Sequence, residues 1–242
     1  MKDSISVIIP AYNEESRIKP TILRVHSYLK EKFGNFEVIV VDDGSTDGTA
    51  SVINGLERGL DNIRLIHYPD NTGKGHAVKT GVISSRGDLL LICDADQSTP
   101  VEELEKLLPF LHRGFDVVIG SRGLRTSNIV VRQPWYREKM GKTFNILVRT
   151  LVVGGFKDTQ CGFKLFRGDV ARRLFGKSLI SSFGFDVEIL FLAEKEGFRV
   201  KEVPVKWLNS PHSRVRIVRD SLKMFMDLFK IQTNWRSGKY AG

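Results

Sequence analysis

The sequence predicts an α/β fold, a mostly parallel β-sheet with helices on both faces and an amphipathic helical extension at the C-terminal end. Short β-branched runs recur through the first half, and between them lie longer segments with apolar residues at helical spacing. A third observation is that these runs empty into loops rich in Asp, Asn, Gly and Thr, where ligands bind at the carboxyl ends of parallel strands.

The run ISVII at residues 5–9 is the first strand and ends in PAYNEE, residues 10–15. Ile18, Ile22, Val25 and Leu29 follow at helical spacing. VIVV at 38–41 is the second strand and ends in DDGSTDGT, residues 42–49. Taken alone, that loop reads as a turn and a helix cap, with Ser45 or Thr46 capping and Asp47 in the first turn. A helix over 49–56, a strand at 63–67, the loop PDNTGKGHA at 69–77 and a helix over 77–84 come next. LLLIC at 89–93 is driven straight into Asp94 and Asp96, then stopped by Gln97, Ser98, Thr99 and Pro100. A helix over 101–111 and a strand at 117–119 complete this half. The strand ends converge on one rim, which puts Asp94 and Asp96 where a ligand would be held.

The second half is less regular. Tyr136, Met140, Phe144, Leu147 and Leu151 form an apolar stripe, so a helix follows a basic loop. DTQCGFKLFR, residues 158–167, reads as a turn into a short strand. FDVEILFLAEKEG, 185–197, reads as a buried helix capped by Gly197, and RVKEVPVKW, 199–207, as an alternating strand. The final helix carries two stripes: Val218, Leu222, Phe225 and Phe229 on one side, Met224, Leu228, Ile231 and Trp235 on the other. One stripe packs on the domain. The other faces an anionic membrane surface, or is itself core or a dimer contact; Arg219, Lys223 and Lys230 fill the remaining arc, the profile of an interfacial helix. Without repeat or linker, the chain reads as one domain over residues 1–210, with halves 1–120 and 121–210, and an extension over 211–242.

Composition narrows the function classes. The formal net charge is +9, with basic residues crowded at Arg122, Arg125, Arg132, Arg137, Lys139, Lys142 and Arg149, and again from Arg214 to Lys239. This asymmetry suits an anionic partner. No aromatic platform for nucleic acid and no GxGxxG fingerprint is present. Cys93 and Cys161 fit no metal spacing and read as reduced core thiols of a cytosolic-side protein. The N-terminal apolar run is too short for a signal peptide, and no stretch reaches the ~20 apolar residues of a spanning helix. Two carboxylates one residue apart suit a hard cation, magnesium or manganese, shared with substrate phosphates.

PAYNEE, VVDDGSTDGT, GKGHA and the Asp94-x-Asp96 pair at successive strand ends resemble the family 2 glycosyltransferases over nearly the whole chain. GSR at 120–122, DTQCGFKLF, FDVEILFLA and EVPVKW at 202–207 are similar to the subgroup that loads a sugar onto a polyprenyl phosphate. The resemblance implies the GT-A fold, a Rossmann-like nucleotide-sugar-binding sheet. It implies that Pro10, Tyr12 and Glu14 line the base and ribose pocket, that Asp43 bonds the base edge, and that Lys74 lies near the nucleotide. Asp94 approaches the ribose and the metal, and Asp96 is the direct metal ligand. Arg122 and Arg132 form the acceptor-phosphate clamp, and Arg214 sits on a loop closing over the donor diphosphate. Asp158 stands where relatives keep a candidate base and is assigned to orienting the acceptor, with a structural turn as the equal alternative. One departure is that Gln97 follows Asp96 directly and Ser98 stands where mannosyl-transferring members have a glutamine, which leans to the glucosyl branch and leaves both residues out of the ligand set.

The implied reaction is a metal-dependent, inverting transfer of a hexose, glucose from UDP-glucose, to a polyprenyl or dolichyl phosphate, giving a β-linked product. The implied location is the inner face of a membrane, peripherally bound on the cytoplasmic side. Mannosyl transfer from GDP-mannose, and a soluble enzyme acting on a glycan or protein, stand as alternatives.

Overall fold

The computed structural model describes residues 3–131, 143, 146, 148, 152–208 and 217–241. The four apolar runs of the first half become β1 (Ile5–Ala11), β2 (Phe36–Asp43), β3 (Ile63–Tyr68) and β4 (Leu89–Ile92). They are mutually parallel, with Ile8 opposite Ile39 on one side and Ile92 on the other. β1 is buried along its whole length, which is why its sequence is a continuous apolar run rather than an alternation. α1 (Glu15–Lys32), α2 (Thr49–Gly59) and α3 (Lys74–Ile83) form the crossovers. A short 3-10 turn, Val101–Glu103, leads into α4 (Leu104–His112) and β5 (Val117–Ser121).

After β6 (Asn128–Val131) the described chain resumes fully at Val152. The stripe Tyr136, Met140, Phe144, Leu147 and Leu151 lies outside the described residues. β7 (Lys164–Arg167), α5 (Gly168–Lys177), α6 (Phe185–Lys195), β8 (Val200–Pro204), β9 (Lys206–Leu208) and α7 (Ile217–Arg236) complete the order. Seven strands form one sheet in the order β3-β2-β1-β4-β7-β5-β8, and β6 pairs with β9 in a separate ribbon. β7 runs antiparallel between β4 and β5. A strand from the second half therefore joins two strands of the first, and the sheet is continuous across both.

Apolar layers cover both faces of the sheet. Ile18, Ile22, Val25 and Leu29 of α1 pack on one side with Leu104, Leu107 and Leu111 of α4. Val78 and Val82 of α3, Phe175 of α5, Phe185 and Ile189 of α6, and Leu228 and Ile231 of α7 pack on the other. Each fully buried aliphatic side chain contributes about 1.5–3 kcal/mol.

Three local expectations are corrected. RVKEVPVKW is two strands: pairing with β5 ends at Ser121–Pro204, where the Val205 N–H closes the ladder on the Ser121 carbonyl at 3.3 Å, and the chain passes to β9 beside β6. Asp47, rather than Ser45 or Thr46, serves the start of α2, accepting the Thr49 N–H at 3.0 Å. Residues 168–177, given no element from the sequence, form α5, whose Val170, Ala171, Leu174 and Phe175 recur at helical spacing and are all buried. Gly197 does end α6, at φ 77°, with the Phe198 N–H donated to the Ala193 carbonyl at 2.9 Å. On α7, Met224, Leu228 and Ile231 are buried and Leu222 and Phe229 are exposed, but the expected stripes are not kept whole: Phe225 packs against the core, Trp235 is 42% exposed, and Met226, in neither stripe, joins the outer face.

Candidate functional site

The chain runs from β1 outward to β2 and β3, then crosses back to set β4 on the other side of β1. The crevice between the exits of β1 and β4 is therefore the topological switch point, where such sheets bind ligands. Hydrogen bonds lace the rim loops together. Asn13, at φ 55°, donates its N–H to Ser45 Oγ (2.8 Å), and its Oδ1 accepts the Thr46 N–H (2.8 Å). Glu14 N–H is donated to Thr49 Oγ1 (2.8 Å), and Asn71 Nδ2 to the Asp43 carbonyl (3.0 Å). Thr21 of α1 donates its hydroxyl to the Ala95 carbonyl (2.7 Å), tying the acidic loop to the first crossover.

Asp94 and Asp96 occupy different environments although one residue apart. Asp94 Oδ1 accepts Lys74 Nζ at 2.6 Å. Its other oxygen is backed by Gly162, where a Cβ would lie 1.9 Å from Asp94 Oδ2, so only glycine fits. Burial opposes ionisation of Asp94, but Lys74, Lys164 and Arg122 outweigh it and hold the carboxyl below its ordinary range. Asp96 is pushed the other way, first by burial and then by the charge of Asp94, although its Oδ1 accepts the Ser98 N–H at 2.9 Å. Burial works against the charge on Lys74, yet Asp94 and Asp186 raise it above the ordinary lysine value.

Because β7 runs against its neighbours, its N-terminal approach rather than its exit reaches the rim. That brings Asp158, Cys161 and Gly162 beside the exits of β4 and β5. Asp158 is buried and grips Arg122: Nε to Oδ2 at 2.6 Å, Nη2 to Oδ1 at 2.8 Å, and the Arg122 N–H to Oδ2 at 2.9 Å. The Gln160 N–H takes a further position on Oδ1 at 3.2 Å. Burial raises the Asp158 pKa, but Arg122 more than reverses that, and the carboxyl is held below the usual carboxylate range. The guanidinium also lies over the Trp207 ring, 5.5 Å from its centre.

The remaining expected positions divide. Pro10 is part of β1, paired with Val41, and Tyr12 is exposed on the rim. Glu14 is committed to Arg17 through two hydrogen bonds, one of them Nη2 to Oε1 at 2.8 Å. Asp43 accepts the Thr72 N–H (2.8 Å), the Thr72 hydroxyl (2.7 Å) and the Gly73 N–H (2.8 Å), so it shapes the loop after β3 from within. Arg132 and Arg214 lie outside the described residues. Four residues join the site that sequence reasoning missed: Arg17, whose charge faces Asp96 and Asp94; Gly162; and the buried ion pair Lys164–Asp186. The available signal was ionisable residues inside the apolar runs GFKLF and FDVEILF.

Glu14, Asp94, Asp96, Asp158 and Asp186 face Arg17, Lys74, Arg122 and Lys164, five carboxylates against four cations among the described residues. The excess falls at Asp96. No cluster of three or more His, Cys, Asp or Glu is present among the described residues, and the carboxylates of the acidic loop are the pair Asp94 and Asp96. That donor set fits magnesium or manganese shared with phosphates.

A model of the family described as glycosyl transferase family 2 matches residues 6–175. Dolichyl-phosphate beta-glucosyltransferase of Dictyostelium discoideum is 37% identical over 246 residues, covering 97% of this chain and 75% of that protein. Its Homo sapiens counterpart is 34% identical over 249 residues, covering 98% and 77%. Among solved structures, mannosyl-3-phosphoglycerate synthase from Rubrobacter xylanophilus superposes with a TM-score of 0.73 at 20% identity, covering 98% of this chain and 75% of that one. Glucosyl-3-phosphoglycerate synthase from Mycobacterium tuberculosis, in complex with Mn2+, uridine-diphosphate and phosphoglyceric acid, gives 0.70 at 20% identity, covering 95% and 78%. At that identity the solved structures speak for the fold.

Proposed function

The chain belongs to glycosyl transferase family 2 and has the GT-A fold, and from that premise we propose that it transfers glucose from UDP-glucose to dolichyl or another polyprenyl phosphate. The observation that carries the acceptor is the likeness to dolichyl-phosphate beta-glucosyltransferases along nearly the whole chain, and the Mycobacterium tuberculosis neighbour solved with UDP supports a uridine donor. Residues 1–120 are the donor half, 121–210 the acceptor half, and 211–242 a closing loop and surface helix.

Asp94 and Asp96 would hold a divalent cation, magnesium or manganese; the Mn2+ in the neighbour supports this. When bound, such an ion neutralises charge on the donor diphosphate. Lys74 meets the same end of the donor, and Tyr12 and Pro10 flank the base. Glu14 acts from behind, through Arg17, and Asp43 by shaping the loop after β3. Arg122, preset by Asp158, turns its remaining donors to the acceptor phosphate; Arg132 and Arg214 are assigned to the acceptor clamp and to the diphosphate. A phosphate monoester oxygen is already ionised near neutral pH, so it attacks the anomeric carbon without a strong base. The lone pairs of Asp158 are taken up by Arg122 and Gln160, which favours orienting over proton removal. A single displacement inverts the anomeric centre and yields the β-linked lipid sugar.

The deciding experiment offers labelled UDP-glucose, GDP-mannose and UDP-N-acetylglucosamine separately, each with a polyprenyl phosphate and manganese or magnesium. Label should pass into the organic phase from UDP-glucose and stop with a chelator. Transfer from GDP-mannose alone would replace the sugar, and transfer only to water-soluble acceptors would overturn the lipid reading.

We further read the protein as peripheral to the cytoplasmic face of a membrane. No helix among the described residues is long and apolar enough to cross one. The outer face of α7 presents Leu222, Met226 and Phe229, with Lys223, Lys230 and Arg236 beside them, and each basic residue near an anionic surface is worth about 1 kcal/mol. Deleting the helix would strip Leu228 and Ile231 from the core, so the sound test changes only the outer face. A Leu222→Asp/Phe229→Asp protein should keep its circular dichroism and sediment about tenfold less with anionic vesicles. Undiminished sedimentation would refute the surface role.

A further inference from the structure

Asp227 lies on the inner face of α7, 2% exposed among the buried Met224, Leu228 and Ile231. A buried carboxylate is costly unless hydrogen-bonded. Asp227 Oδ2 accepts a short hydrogen bond from Ser182 Oγ, and its Oδ1 lies 3.5 Å from Lys230 Nζ. Ser182 belongs to the connection between α5 and α6. The carbonyl of its neighbour, Ser181, accepts the N–H groups of Gly75 (2.8 Å) and His76 (3.3 Å), the second and third residues of α3. The fit is close: a Cβ on Gly73, which stands at φ 107°, would lie 2.5 Å from the Ser181 oxygen. Between Gly73 and Gly75 sits Lys74, whose ammonium holds Asp94. Two backbone donors in the first turn of α3 are therefore spent on Ser181, and the Lys74 side chain reaches the rim from between them.

We propose that Asp227 is a positioning residue for donor binding: through Ser182 it fixes the Ser181 carbonyl, which orients the Gly73–Gly75 turn and so sets Lys74 on Asp94. This rests on reading the rim as a nucleotide-diphosphate site. It adds that the helix whose outer face is apolar and basic holds the donor turn from its inner face, by one side chain.

Two measurements test it, one without any ligand. In Asp227→Ala, amide hydrogen exchange at Gly75 and His76 should quicken by about tenfold or more relative to amides in the middle of α3. UDP affinity with Mn2+ should fall about tenfold, while Asp227→Asn, which still accepts the Ser182 hydroxyl, retains most of it. In a Lys74→Ala background the Asp227→Ala change should alter the UDP dissociation constant less than about twofold, because both act through one ammonium. Unchanged exchange at Gly75 and His76, or full additivity with Lys74→Ala, overturns the proposal. If UDP does not bind the native chain but the two amides still respond, the donor reading fails, and so does the link from Asp227 to the donor, leaving only its hold on the turn.

Discussion

Asp96→Ala lowers glucosyl transfer about a thousandfold, roughly 4 kcal/mol of transition-state stabilisation, and leaves the fold intact. The reason is the imbalance at the rim. Asp96 is the carboxylate whose ionisation is opposed by burial and by Asp94, and in the proposed reaction a cation held there would offset the charge that grows on the departing diphosphate. Removing it relieves that repulsion, so the metal-free variant should melt at or slightly above the native temperature. A site kept ready for a cation is held at some cost to stability. Steady-state transfer and thermal melting of the same preparation check both halves. Near-native turnover would remove Asp96 from the catalytic apparatus, and a collapsed melting temperature would make its role structural.

Asp158→Ala lowers stability by about 3 kcal/mol, because it removes a buried carboxylate that holds three N–H groups of the partly exposed Arg122 and leaves that guanidinium without its partner. For a chain of this size the melting temperature should fall by on the order of 10 °C. The double variant Arg122→Ala/Asp158→Ala should be less unstable than the two single losses combined. The pH dependence has a defined sign. The folded-state pKa of Asp158 is depressed, so its contribution is complete above its unfolded value, about 4, and is lost as pH falls through the lower folded value. Asp158→Asn should leave the pH profile of transfer near neutrality unchanged in shape while lowering its height. Loss of the acidic limb would instead identify a proton acceptor.

The first half was legible because each central strand has both faces covered and writes itself as an unbroken apolar run, and because its loops carry carboxylates at the ends. Asp94 and Asp96 were found on that basis and Lys74 through the family resemblance, and the structure sets Lys74 on Asp94 beside Asp96. What escaped was decided by partners remote in sequence. Asp43 looks free in DDGST, yet Thr72 and Gly73 claim it after the chain has crossed back through α2 and β3. Lys164 and Asp186 sit in apolar runs where nothing local says that each neutralises the other. RVKEVPVKW alternates as one strand should, and only the end of the β5 ladder at Pro204 shows why it breaks. Gly162 is ordinary in sequence and is fixed by the Asp94 carboxylate against it.

The antiparallel insertion of β7 also has a consequence for biosynthesis. β1, β2, β3 and β4 can assemble as soon as they leave the ribosome, but the outer edge of β4 pairs with β7 and with nothing earlier in the chain. Until the whole segment from Cys93 to Phe163 has been translated, that edge is a row of unpaired amides and carbonyls beside LLLI, a template for pairing with another nascent chain. The floor of the proposed donor crevice, Gly162 against Asp94, is laid down by the approach to the same late strand. Catalytic competence and protection from aggregation thus arrive together, and a ribosome stalled before residue 164 releases a product that has neither.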